Sequence, residues 1–79
     1  MTRWMYNALL DLAHGNEVCF SEIQEQRQMS MITGWLDENK IKSYIRPVGY
    51  GNRVDYYLKI DGRSRPRLIK MLSGQIIEG

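Results

Sequence analysis

Residues 21–40 read SEIQEQRQMSMITGWLDENK, and the way this stretch folds decides the architecture of the chain. Ser21 is a good helix N-cap, and Gln24 stands in the third helical position, which completes a capping-box pattern. Ile23, Met29, Ile32, Trp35 and Leu36 are the apolar positions of the helical segment that Ser21 opens. Two arrangements satisfy them. One is a continuous helix over residues 22–39. The other is a short helix over 22–28, a turn at Gln28-Met29-Ser30 and a second helix over 31–40, with the Ser30 hydroxyl capping the second helix. No Gly or Pro forces a break, so local sequence leaves both open.

The flanks are easier to read. Residues 3–14 (RWMYNALLDLAH) present Met5, Leu9, Leu10 and Leu12, with Trp4 and Ala13, at three- and four-residue spacing, which predicts an amphipathic helix. Gly15-Asn16 ends it, because both tolerate the left-handed conformation of helix C-termini. Residues 17–20 then form a short extended piece. Past the central stretch, residues 41–46 alternate, with Ile41 and Ile45 on one side. Residues 53–60 alternate more cleanly: Val54, Tyr56, Leu58 and Ile60 face one way, and Arg53, Asp55, Tyr57 and Lys59 the other. Pro47, Gly49, Gly51 and Asn52 between them predict a hairpin with a long tip over 47–52. Asp61-Gly62 ends the second strand. Ser64 or Arg65 caps a last helix with Pro66 in its first turn and Leu68, Ile69, Leu72 and Ile76 on its apolar face.

Helix, short strand, two helices, hairpin wing and C-terminal helix is the order of a winged helix-turn-helix domain, which this chain resembles over about residues 5–72. The resemblance rests on Ile23, Met29, Ser30 and Leu36 at the intervals of the two-helix unit, on the glycine-bearing wing, and on Tyr57-Leu58-Lys59-Ile60-Asp61-Gly62-Arg63 leading into the final helix. It implies an α+β protein that binds nucleic acid, most naturally duplex DNA, in a regulatory role. The second helix of the unit would enter the major groove and bring Ser30 and Thr33 nearest the bases. The chain departs from the pattern at three places. Gln28 stands where the inter-helix turn has a small residue, Asp37 and Glu38 would repel phosphates, and Gly34 weakens the helix that carries them. The alternative resemblance is to small βαββα domains of ferredoxin-like character, here with an N-terminal helix. Some of those are signal-transducing or partner-binding modules, and the likeness needs neither the turn at residues 28–30 nor nucleic acid.

Charge points to where a partner would bind. Residues 1–39 carry two basic against six acidic side chains, and residues 40–79 carry nine against three; the overall +2 hides a polarised molecule. Such polarity suits a polyanion or an acidic protein. Lys40, Lys42, Arg46, Arg53 and Lys59 lie on or beside the hairpin, Tyr50 and Asn52 at its tip, and Tyr44 and Tyr57 share its outward side if Ile45 and Tyr56 face the core. Lysine and arginine neutralise phosphates with counterion release, and tyrosines among them can stack on bases. Arg63, Arg65 and Arg67 alternate before the last helix, where a helix N-terminus already favours anions. They make a second candidate phosphate site, unless they are neutralised within the molecule. The non-enzymatic alternative to nucleic acid is an adaptor or inhibitor whose basic hairpin contacts an acidic partner.

Other classes receive no support. Seventy-nine residues make one domain. One cysteine, expected in the core, and one histidine, expected at a helix end, give no disulfide within the chain, no metal-ligand pair and no catalytic set. The reading is of a non-enzyme without cofactor or metal. No apolar run reaches membrane-spanning length and no secretory signal opens the chain, so a cytoplasmic protein is expected. A homodimer would be a natural way for so small a domain to gain stability.

Overall fold

The computed structural model describes residues 1–21 and 23–78. Its elements are α1 (Arg3–Ala13), β1 (Val18–Phe20), α2 (Ile23–Glu38), β2 (Ser43–Tyr50), β3 (Arg53–Ile60), a 3-10 turn (Gly62–Ser64) and α3 (Arg65–Ser73). This is an α+β chain: helices on one side of a three-stranded antiparallel sheet of order β1-β3-β2.

The central stretch forms one helix of 16 residues. The turn expected at Gln28-Met29-Ser30 is absent, and with it the separate second helix of the winged-helix reading. Gln28 and Met29 are good helix formers. The Ser30 carbonyl stays within the helix and also accepts a hydrogen bond from the Thr33 hydroxyl at 3.1 Å. An unbroken helix puts Ile32 and Leu36 in the fully buried core and packs Met29 and Trp35 against it. Its start differs in detail from the expected capping box. The Glu25 carboxylate accepts from the Ser21 backbone N–H at 2.6 Å and from its hydroxyl at 3.0 Å. The side chains of Ile23 and Gln24 and the start at Glu22 lie outside the described residues.

Both long helices end in the same device. Gly15 (φ +86°) follows α1, with Gly15 N–H donating to the Leu12 carbonyl and Asn16 N–H to that of Asp11. Lys40 (φ +58°) follows α2, with Lys40 N–H donating to the Asp37 carbonyl and Ile41 N–H to that of Leu36. These are Schellman closures, and the second brings the buried pair Leu36 and Ile41 together, the hydrophobic contact that accompanies the motif.

The hairpin is longer and its turn tighter than expected. β2 runs through Pro47 and Gly49 to Tyr50, which pairs with Arg53, so only Gly51-Asn52 remains as the turn. Gly51 takes φ +58°, which suits a first turn position that non-glycine residues avoid. Pro47 fits because β2 is an edge strand, where a missing N–H need not break the sheet.

The inner sheet face carries Phe20, Leu58 and Ile60 into a core completed by Leu9, Leu12, Ala13, Ile32, Leu36, Ile41, Leu68 and Leu72. Ile45 and Val54 also face inward, as alternation requires, but stay exposed, Ile45 on the edge strand opposite the buried Leu58 and Val54 toward the tip of the hairpin. Ile69 and Ile76 correct the α3 reading: Ile69 is exposed, and α3 ends at Ser73, leaving Ile76 83% exposed. The terminal segments pair instead. The Met1 amino group donates to the Ile76 carbonyl at 3.0 Å, and Glu78 N–H donates to the Met1 carbonyl at 2.8 Å. No helix among the described residues is long and apolar enough to cross a membrane.

Candidate nucleic-acid interface

Because side chains alternate along strands, the residues opposite the core face share the sheet's other surface. β3 contributes Arg53, Asp55, Tyr57 and Lys59; β2 contributes Tyr44, Arg46, Val48 and Tyr50; β1 contributes Cys19. Register brings rings and cations together. Tyr57 lies opposite Arg46, Tyr44 opposite Lys59, and Tyr50 opposite Arg53. The Arg46 guanidinium carbon stands 4.7 Å from the centre of the Tyr57 ring, and the Lys42 Nζ 5.6 Å from that of Tyr44. Both lie within the range of cation–π attraction. Tyr44 is 49% exposed and Tyr50 58%.

Two carboxylates enter this surface. Glu17, just before β1, holds Arg46 at 3.1 Å. Asp55, nearly buried in β3, accepts from Arg53 Nε at 3.1 Å. The first pair is exposed at both ends and so contributes at most about 1 kcal/mol to folding. The surface thus carries Lys42, Arg46, Arg53 and Lys59 against two acids, with half of its cations already paired.

Tyr57 sits at the middle of the face. Its phenol pKa is raised above the ordinary tyrosine value, first by a hydrogen bond with the Cys19 side chain and by negative charge developing there, then by Tyr50, partial desolvation and Asp55. Cys19, expected in the core, is exposed, because alternation in β1 turns Phe20 inward and Cys19 out.

The structure divides the remaining candidates. Ser30 and Thr33 belong to α2, behind the sheet, and share no surface with the hairpin's cations. Lys40 occupies the left-handed position after α2. Asn52 is in the hairpin turn, and Arg63 is exposed in the 3-10 turn. Arg65 and Arg67 are engaged within the molecule. Arg65 Nε donates to the Ala13 carbonyl at 3.1 Å, at the C-terminus of α1. Arg67 Nη2 donates to the Asn39 carbonyl at 2.7 Å and to that of Lys40, at the C-terminus of α2. Each places a cation where a helix presents unpaired carbonyls and the negative end of its dipole. Arg65 and Arg67, in the first turn of α3, are therefore taken up within the molecule by helix ends, while Arg63 is exposed.

No family model matches this chain. Comparison with curated proteins and with solved structures likewise finds no match. Among the described residues, no group of three or more His, Cys, Asp or Glu side chains could hold a metal ion.

Sequence reasoning missed the parts that Glu17 and Asp55 play in this surface. Alternation alone places Asp55 on the outward strand face but does not reveal its pairing with Arg53. Glu17 reaches Arg46 across a sequence separation of 29 residues, a contact that becomes visible only once β1 is paired to β3.

Proposed function

We propose that this protein binds nucleic acid through the helix-free face of its sheet, with Lys42, Arg46, Arg53 and Lys59 neutralising phosphates and Asn52 and Tyr50 extending the contact at the hairpin tip. The fold is read as the βαββα arrangement preceded by α1, in which α2 packs on the sheet as one element. The regulatory role came with the winged-helix resemblance, whose two-helix unit α2 replaces with one helix, and is not carried over. The observation that supports the reading is the register of the face, where each of three tyrosines stands beside or opposite a cation. Such a pattern combines electrostatic attraction with aromatic contact.

The test is binding of mixed-sequence oligonucleotides, single-stranded and duplex, at ~50 mM salt, where the electrostatic contribution is large. Binding should weaken steeply by ~200 mM. Replacing Arg46 and Arg53 together with alanine should weaken it further and flatten the salt dependence by about two phosphate contacts. Folded protein that binds neither form at ~50 mM refutes the proposal. An acidic protein partner is the second reading. It is favoured by the way Glu17 and Asp55 already sit against Arg46 and Arg53, which indicates that the surface accommodates carboxylates as well as phosphates.

A further inference from the structure

We infer that the nucleic acid taken by this face is single-stranded, with about two or three bases stacked on the row Tyr44, Tyr57–Arg46 and Tyr50; the inference rests on the nucleic-acid reading above. Three observations carry it. The first is width. β1 pairs with residues 56–58 of β3, so the face is three strands across where Arg46 and Tyr57 lie. At about 4.8 Å between strands, and with side chains added, that is too broad for a duplex major groove about 12 Å wide, which admits a helix or a two-stranded ribbon. Toward the turn, residues 48–55 run beyond β1 and form a two-stranded tip narrow enough to enter. A duplex would engage that tip and leave Tyr44, Lys42, Arg46 and Lys59 without a role.

The second observation is the nature of the exposed groups. Aromatic faces recognise base faces, and a duplex has already stacked its own; rings are useful against unpaired bases. Tyr44 and Tyr50 are about half exposed on a surface without helices. Tyr57 is covered by the Arg46 guanidinium at 4.7 Å, and that plane offers its outer side to a base, since guanidinium planes stack on unpaired bases as rings do.

The third is spacing. Tyr44 is diagonal to Tyr57 across β2 and β3, about 7–8 Å away at the backbone. Tyr50 lies opposite Arg53, four residues along β3 from Tyr57, about 13 Å at strand rise. The three positions zigzag along the hairpin, from β2 to β3 and back to β2, with Lys42 and Lys59 at one end, Arg46 in the middle and Arg53 at the other. A single strand can lay its bases along such a row while its phosphates meet the flanking cations.

The experiment measures fluorescence anisotropy of labelled oligothymidine, oligouridine and a mixed-sequence duplex, each about twelve residues long, against the whole chain and against Tyr44→Leu and Tyr50→Leu. Both substitutions are at exposed positions, and thermal unfolding confirms that the variants remain folded. The single strands should bind at least tenfold tighter than the duplex. Each tyrosine substitution should weaken single-strand binding by about fivefold to a hundredfold while leaving the salt slope unchanged, because no cation is removed. The two single-strand arms distinguish a DNA strand from an RNA strand as the ligand. Duplex binding as tight as single-strand binding, or single-strand binding indifferent to both tyrosine substitutions, overturns the inference and leaves the nucleic-acid reading standing. Absence of binding to all three probes overturns both.

Discussion

Replacing Ser30 with alanine distinguishes the unbroken α2 from a helix-turn-helix by the sign of its effect. In the observed fold Ser30 is an exposed interior position of α2, seven residues after its start at Ile23. The local hydrogen bond runs from the Thr33 hydroxyl to the Ser30 backbone carbonyl, so it survives loss of the Ser30 side chain. Alanine is the better helix former, and the substitution should stabilise the protein by about 0.3–0.5 kcal/mol. For a domain of this size that raises the melting temperature by roughly 1–4 °C. If Ser30 instead capped a second helix, its loss would remove a capping hydrogen bond and cost about 1 kcal/mol, lowering the melting temperature by roughly 4–8 °C. Urea unfolding followed by far-UV circular dichroism resolves a difference of that size in either direction. A destabilisation near ~1 kcal/mol would refute the unbroken helix. It would also return Ser30 and Thr33 to a helix capable of entering a groove.

Two glycine substitutions should have opposite effects. Gly34→Ala lies in the interior of α2, where an added methyl meets nothing within 4 Å, and should stabilise by up to about 1 kcal/mol in the same unfolding assay. Gly15→Ala must adopt φ +86° and bring its Cβ to 2.9 Å from the Arg65 guanidinium carbon. It should destabilise by about 1–3 kcal/mol, through backbone strain and the displaced Arg65–Ala13 hydrogen bond. Stability should also fall at alkaline pH through Tyr57. Its folded pKa is raised, so the folded state holds the phenol proton more tightly; that stabilisation is complete below about pH 10 and is lost as pH rises through the folded value. Tyr57→Phe should show a smaller alkaline loss in unfolding curves taken from about pH 8 to 11; an equal loss would show that other groups govern the alkaline limit.

Local pattern carries much of the fold. The α1 periodicity, its Gly15 stop, the Leu58/Ile60 alternation and Pro66 in the first turn of α3 are each legible, because each depends on neighbours within a few residues. The central stretch is not decidable locally, since its apolar positions serve one helix or two, and packing of Ile32 and Leu36 against a distant sheet makes the choice. The hairpin tip departs from expectation for a related reason. Pro47 and Gly49 weaken a strand in isolation, yet an edge strand tolerates them when β3 supplies eight consecutive pairings. Of the candidate site, the strand cations and tyrosines are visible from alternation. Every long-range partner is hidden: Glu17 for Arg46, Ala13 for Arg65, and the end of α2 for Arg67.

Those hidden partners explain the charge asymmetry in physical terms. A run of arginines at the entrance to α3 is unfavourable with that helix's own dipole. Arg65 and Arg67 escape the conflict by turning their guanidinium groups to the C-termini of α1 and α2, where unpaired carbonyls and the negative dipole end accept them. Part of the positive charge in the second half of the chain is therefore structural, fastening the last helix to the ends of the other two. The charge left for a partner is concentrated on the hairpin side of the sheet, and there Glu17 and Asp55 hold Arg46 and Arg53 in place without cancelling the surface. An arginine held by an exposed carboxylate is oriented in advance and can exchange that carboxylate for a phosphate at little cost, because the original pair contributes so little to folding. On the proposed reading, it is therefore on the sheet face, rather than at Arg65 and Arg67, that a polyanion would meet cations, and Arg46, held by the exposed Glu17, is the one most readily released to it.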